Sequence, residues 1–551
     1  MSDNENNDIN VTFDELKETA KPNKIGEVCR ADTDNVIELK IQHSPDEMKL
    51  GQPLIIESDK FLYYCIINRL YYPSNDVALK FANSPFTGLI PPSHIEGVRG
   101  KEFFGMADLN CLKIIPVPDE EQEKISTEGM REFDTIPPIF SEGRKVTDKE
   151  IELIYTTSDT SDSIGNLRGF NYKIPIDFGM LVKKPYGIFG RTGIGKSILN
   201  KILCLYILKH EVSQLLLFDM QGEYGTISRA DKSKGLKFYF QDKVKIYRLG
   251  VLASKDKSID DAEPFLLYKE NINSGDIIAS TQTLKEPSIN VLLKIEDNLK
   301  DGENLLDVII TSDASSLEVN KFSLAALKNR LFPFKRYEFL KVRGDKKRED
   351  SIENMFTQLK NGKSIVVDFG PYGINNHLYY FVANSITRRL YNTYSRKEFT
   401  DEKLPPLVVV LEEAHKFLKP GIIHHTIFDK IAREMRKFQL TLAFVDQRPS
   451  QIDEEVISQI ANRFVMHLND TKDIDKIVKN LPNPKSWRTV ISGLQKRQCF
   501  IYGDAISVPS IVDVINYNDW EAIKKDLGLK KTLTETFKEI EKKDMTEVFG
   551  K

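Results

Sequence analysis

The stretch GRTGIGKS, Gly190 to Ser197, constrains this chain more than any other feature. It satisfies G-x-x-x-x-G-K-[ST] at every fixed position, follows the apolar run PYGIF and precedes the apolar segment SILNKILCLYILKHE. A strand, a glycine-rich turn and a helix in that order build a phosphate cradle, because glycines let several backbone N–H groups converge at the helix N-terminus. The expected nucleotide contacts are Gly190, Arg191, Thr192, Gly193, Ile194, Gly195, Lys196, Ser197 and Ile198. Lys196 would reach the β- and γ-phosphates of ATP, and Ser197 would hold Mg2+.

A nucleoside triphosphatase also needs an acid at a buried strand end for the metal, and a second carboxylate to orient or deprotonate water. The run LVVVLEEAHKF supplies both, with Glu412 placed for the metal and Glu413 for the water. LTLAFVDQRPSQI is another apolar strand with a polar end, where Gln447 is the candidate γ-phosphate sensor. KIAREMRKFQL carries Arg433 and Arg436, either of which could serve a neighbouring subunit's ATP as a trans finger. His415 has no assigned chemistry beyond a conceivable link to Gln447.

Strand-like runs alternate with helical patterns from about residue 165, which predicts an α/β layer on a largely parallel sheet. Short strands with polar turns before it predict a small β-barrel. The expected organisation is a flexible tail over 1–22, the barrel over 23–112 and a connection over 113–164. The ATPase domain follows over 165–520 with a mostly helical insertion at about 254–360, then a helical tail over 521–551. The five cysteines are scattered without a C-x-x-C pair, as expected of reduced thiols in the cytoplasm. No membrane span or signal peptide is recognisable. With 78 basic and 81 acidic side chains, any grip on nucleic acid must come from local positive potential.

EEAH is not a DEAH-box helicase signature here: Lys196 and Glu412 stand far apart, whereas that family brings the two motifs close together. The chain instead resembles the HerA family of hexameric DNA translocases, in the wider group that includes the FtsK motor. The resemblance rests on GEVCRADTDNVIELKI, IGNLRGF, FGRTGIGKS, LLLFDMQGEYG, LEEAHKFL, IAREMRKF, DQRPSQI and SQIANRFVMHLND, in the family's order. It implies an α/β fold: a RecA-like P-loop ATPase core with an N-terminal β-barrel, a helical insertion and a C-terminal helical tail bracing an adjacent subunit. It adds Asp219 and Glu223, from the D-x-x-G-E-Y element, to the nucleotide-binding set. It departs from the family where Met435 and Gln439 replace common glycines.

The resemblance further implies ATP and Mg2+ at the interfaces of a homo-hexamer, with double-stranded DNA in a central channel. The implied partner is a NurA-like nuclease, or an antiphage-defence effector such as a Sir2-like or nuclease protein. SRADKSKG (Arg229, Lys232, Lys234) and VRGDKKRED (Arg343, Lys346, Lys347, Arg348) are candidate DNA grips. A translocase serving a partner competes with an ATP-regulated scaffold ring that activates an effector without translocating. A conjugation- or secretion-type motor would bring membrane segments.

Overall fold

The computed structural model describes residues 24–42, 45–73, 104–117, 130–229, 231–250, 262–281, 284–342, 350–396, 404–420, 426–434 and 439–529. The chain forms two compact units. It passes between them at Lys196/Ser197, Glu412/Glu413, Gly421/Ile422, Thr441/Leu442 and Ile515/Asn516.

In the first unit, β1 (Lys24–Ala31), β2 (Ile37–Ile41), β3 (Pro53–Glu57), β4 (Phe61–Tyr71), β5 (Gly105–Pro116) and β6 (Glu142–Lys145) close an antiparallel barrel in the order β1-β2-β5-β4-β3-β6. Alternation builds it: in β2, Ile37, Leu39 and Ile41 are buried while Glu38 and Lys40 are partly exposed. The inward residues join Val28, Leu54, Ile56, Tyr63, Ile67 and Leu109 in one apolar core. Two expected boundaries need correction. The barrel's fifth strand runs to Pro116, past the expected end at 112, and its sixth comes from the expected connection. That sixth strand reads EGRK, too short and polar to announce itself. It is held by ladders to β1 and β3, and a Cβ on Gly143 would lie 2.7 Å from Leu39 Cδ1.

Beside β6, the guanidinium of Arg144 forks onto Glu150 at 2.7 and 3.0 Å and reaches Glu57 at 2.8 Å. Glu150 also completes a capping box with Thr147 on the helix Asp148–Ile154. Arg144 and Glu150 side chains are 3% and 0% exposed, so neither charge can turn to water.

The same unit carries β7 (Ser161–Leu167), β8 (Lys173–Asp177), β9 (Tyr186–Phe189), β17 (Leu440–Asp446, in this unit from Leu442), β18 (Asn462–Val465), β19 (Gln498–Tyr502) and β20 (Ser510–Val514). Their order is β17-β9-β18-β19-β20-β7-β8. β17, β9 and β18 run parallel, and the rest pair antiparallel. The largely parallel sheet expected from the alternation is therefore mixed here, since β7–β8 and β19–β20 are each joined directly, without a crossover helix. β7 also begins inside the expected connection. Tyr155 anchors this sheet to the barrel, its hydroxyl bonded to Tyr64 at 3.2 Å and Ser510 at 2.6 Å.

In the second unit, β10 (Gln214–Asp219), β11 (Val244–Arg248), β12 (Ala262–Pro264), β15 (Ser364–Asp368) and β16 (Leu407–Glu412) form an all-parallel sheet in the order β12-β11-β15-β10-β16. Its central strands LLLFD, SIVVD and LVVVLE are buried without alternation, as both faces are covered. The helices Lys196–His210 (here from Ser197) and Asn376–Ser395 belong to it. Among its described residues, the segment from 262 to 360 carries five further α-helices and the two-stranded sheet β13 (Leu267–Tyr268) and β14 (Leu340–Lys341). Of the expected C-terminal tail, the described part is the helix Trp520–Asp526 and the residues to Leu529. The expected tail over 1–22 lies outside the described residues. Among the described residues, no helix is long and apolar enough to cross a membrane.

Removing one member of the buried ion pair strands the other. Glu150→Ala should destabilise the barrel by about 3 kcal/mol, read as faster denaturant-dependent exchange of the β1, β3 and β6 amides. Exchange unchanged from wild type would refute the pair's role.

Candidate functional site

In the first unit, the loop from Gly190 leaves β9 with the backbone bent as a P-loop requires. Gly193 and Gly195 have φ of +75° and +113°, and no atom outside their immediate neighbours lies within 4 Å of a Cβ built on Gly193. Gly190 N–H donates to Asp446 O at 3.2 Å and Arg191 N–H to His467 O at 2.9 Å, fixing the loop to the ends of β17 and β18. Lys196 Nζ lies across the loop, 3.1 Å from Arg191 O. An open concave turn with its ammonium folded over it suits a polyphosphate.

Gln447, just past β17, joins this loop to the candidate water-orienting acid. Its Oε1 accepts from the Thr192 hydroxyl, and its Nε2 donates to Glu413 Oε2 at 3.0 Å. Glu413 stands at φ +51°, ψ +47°, a left-handed conformation that costs a non-glycine residue about 1 kcal/mol. Asp446, which sequence reasoning passed over, holds this corner together. Its carboxylate accepts from His415 N–H at 2.6 Å, His415 Nδ1 at 2.9 Å and Arg448 N–H at 2.6 Å. His415 thus has a part after all: it braces the turn that follows Glu413, on the aspartate preceding Gln447.

In the second unit, Ser197 and Ile198 open the helix Lys196–His210 and are half-buried. Glu412 ends β16 with 8% exposure. Its Oε1 accepts from Tyr224 at 2.6 Å, its main-chain carbonyl accepts from Tyr379 at 3.0 Å, and Asn200 donates to the Tyr224 hydroxyl at 3.0 Å. Burial and the nearby Glu412 charge hold the Tyr224 phenol well above its ordinary range, so it remains a donor. Ser197 and Glu412 are the residues of this unit that could hold Mg2+; a magnesium site needs few protein ligands because the ion keeps water and phosphate.

Asp219 does not face a ligand. It is fully buried, with Oδ1 accepting from Gly222 N–H at 2.7 Å and Glu223 N–H at 2.9 Å, and Oδ2 from Tyr224 N–H at 2.8 Å. The D-x-x-G-E-Y element is thereby explained as scaffolding. The aspartate closes the turn, Gly222 adopts φ +71° and Tyr224 is delivered to Glu412. Arg229 crosses Gly222 so closely that a Cβ there would lie 2.8 Å from its Nε. Assigning Asp219 to nucleotide contact is corrected accordingly. Burial, helped by Asp368, pushes its pKa up to about 6 against the three N–H bonds. Glu223 is partly exposed and lends its N–H to Asp219.

Arg433, on the helix Ile427–Glu434, pairs with Asp429 one turn back at 2.5 Å. Arg436 and Met435 lie outside the described residues. Gln439 has φ +59°, the left-handed backbone that explains why a glycine suits this position. Of the two basic loops, Arg343, Lys346, Lys347 and Arg348 lie outside the described residues. In the other, Arg229 pairs with Asp368 at 2.6 Å and Lys234 lies over the Phe238 ring at 4.6 Å, while Lys232 is exposed.

Residues 162–390 match the family described as Helicase HerA, central domain. This stretch is similar to the HerA central domain. The DNA double-strand break repair helicase HerA of Pyrococcus furiosus is 23% identical to this chain, over 68% of it and 73% of the relative. The protein of the same name from Saccharolobus solfataricus is 24% identical, over 69% and 73%. Among solved structures, a bacterial conjugative coupling protein, TrwB, covers 65% of this chain and 89% of its own at 12% identity and a TM-score of 0.45. With its P-loop complete inside the matched residues, the chain is a P-loop ATPase that binds nucleotide.

Tyr224→Phe should leave nucleotide affinity intact and raise the Mg2+ concentration needed for half-maximal hydrolysis about tenfold, because outer partners tune a metal carboxylate. An unchanged magnesium titration would remove Glu412 from the metal site. A second test uses pH. Asp219 takes up a proton near pH 6 when folded and near pH 4 when unfolded. Lowering pH through that window therefore favours the folded wild type but not Asp219→Asn. The wild type should gain stability relative to Asp219→Asn from pH 7 to pH 5 in urea unfolding; a constant difference would refute the shift.

Proposed function

We propose that this protein is an ATP-driven motor that translocates double-stranded DNA through a homo-hexameric ring in the service of a partner enzyme. The observation that carries the reading is Gln447, bonded at once to Thr192 of the P-loop and to Glu413. A side chain in that position can report an occupied phosphate loop to the group that orients water. The HerA-type central domain and relatives named as DNA double-strand break repair helicases supply the DNA.

In this mechanism the P-loop N–H groups and Lys196 bind the phosphates, and Ser197 with Glu412 would hold Mg2+. The ion would neutralise charge developing on the phosphates. Glu413 accepts a proton from the attacking water, or orients it, while Gln447 registers the γ-phosphate. Arg433 or Arg436 reaches the nucleotide of the adjacent subunit. Hydrolysis in one subunit then moves loops that hold backbone phosphates, which requires no base reading. A NurA-like nuclease, or a Sir2-like or other defence effector, is the expected recipient of the DNA, and the cytoplasm the expected setting.

ATP turnover of the wild type should rise with duplex DNA, and its DNA affinity should fall steeply with salt as counterions are released. Lys196→Ala should abolish turnover, and Glu413→Gln should abolish it while keeping nucleotide bound. Turnover indifferent to DNA, with partner activity surviving Glu413→Gln, would instead favour the scaffold ring.

A further inference from the structure

The helix behind the P-loop buries an apolar face: Leu199, Ile202, Leu203, Leu205 and Tyr206 are all within it. Lys201 interrupts that face and is only 1% exposed. A buried ammonium is costly unless every donor direction is met, so its partners matter more than those of a surface lysine. Its Nζ donates to Ser233 Oγ at 2.6 Å and lies 5.6 Å from the centre of the Tyr517 ring. The Ser233 hydroxyl in turn donates to Asp231 Oδ1 at 2.7 Å, and Asp231 also accepts the Ser233 N–H at 3.1 Å.

Ser233 closes a small hairpin. Ser228 N–H donates to Ser233 O at 2.8 Å, and Lys232 N–H to Ser228 O at 3.2 Å. Lys232 sits at the turn with φ +60° and is exposed. Tyr517 holds the far side, its hydroxyl donating to Lys234 O at 2.8 Å. The negative charges whose field reaches Lys201 are those of Asp231, Glu223, Asp219 and Glu412. Lys201 therefore feels both the hairpin and the carboxylate at the end of β16. A cation arriving at Glu412 repels the ammonium, and phosphates at the helix N-terminus draw the helix itself.

We propose that Lys201 is a positioning residue that couples nucleotide and metal binding at the P-loop helix to the basic hairpin closed by Ser228 and Ser233, where Lys232 meets DNA phosphate. The inference rests on the motor reading. It assigns Lys232 to the backbone-contact surface and leaves Arg229 and Lys234 to hold the hairpin's base.

Hydrogen exchange of the Ser228 and Lys232 amides in the full-length protein, with and without Mg2+ and ATPγS, tests it. Nucleotide should change wild-type exchange at both amides at least about fivefold, the lower end of ordinary coupling between sites. Lys201→Met should lose that response. Ser233→Ala, which spares the helix, should lose it too and guards against a misfolded first variant. A wild-type hairpin indifferent to nucleotide, or a Ser233→Ala hairpin that responds as wild type, overturns the proposal. ATP turnover with duplex DNA separates this from the parent reading. No stimulation of the wild type sinks the DNA motor while exchange still decides the coupling. Stimulation that Lys232→Ala leaves unchanged sinks the contact assigned to Lys232.

Discussion

The carboxylate of Asp219 accepts three consecutive-turn N–H groups, and the surroundings of Glu412 in the second unit depend on it. Without that anchor the chain leaving β10 has no reason to turn at Gly222, and Tyr224 would not be presented to Glu412. The same turn gives Arg229 its path over Gly222 to Asp368, and so sets the base of the basic hairpin. Burying an acid this deeply is unfavourable, which is why its pKa rises even though three dipoles point at it. The turn's geometry is what offsets that cost.

The first unit repeats the device with Asp446. It ends β17, is fully buried, and spends its oxygens on His415 and the Arg448 N–H. In each unit a strand-end aspartate builds the corner, while Glu412 and Glu413 bond to side chains, Tyr224 and Gln447. This division has a physical basis. A short side chain reaches the amides of its own turn, whereas a longer one can extend past the strand end.

Much of this was legible from residue order. The P-loop needs only local spacing, and the apolar runs before Glu412 and Asp446 required buried strands. Gln447 was marked because a polar residue beyond a buried strand end has few bland uses. Less legible were contacts between residues distant in sequence. Tyr224 and Tyr379 meet Glu412 from separate parts of the chain, with Asn200 bonded to the Tyr224 hydroxyl, and nothing in the spacing of these residues signals that meeting. β6 was missed because EGRK carries no apolar pattern, its place being set by main-chain ladders to two strands. Asp219 was read as a ligand because its motif marks a functional region, though it serves that region as scaffold.

The sequence by itself determined the nucleotide chemistry, since a phosphate cradle is made of backbone that Gly193 and Gly195 alone allow to bend, followed directly by Lys196 and Ser197. It also determined that acids would stand at the end of β16. Only the tertiary structure decided which carboxylates are consumed in holding turns. It also decided that a buried lysine behind the P-loop ends on a surface hairpin. Those outcomes depend on which groups meet in three dimensions after desolvation, and a carboxylate's neighbours, rather than its place in the chain, determine how it is used.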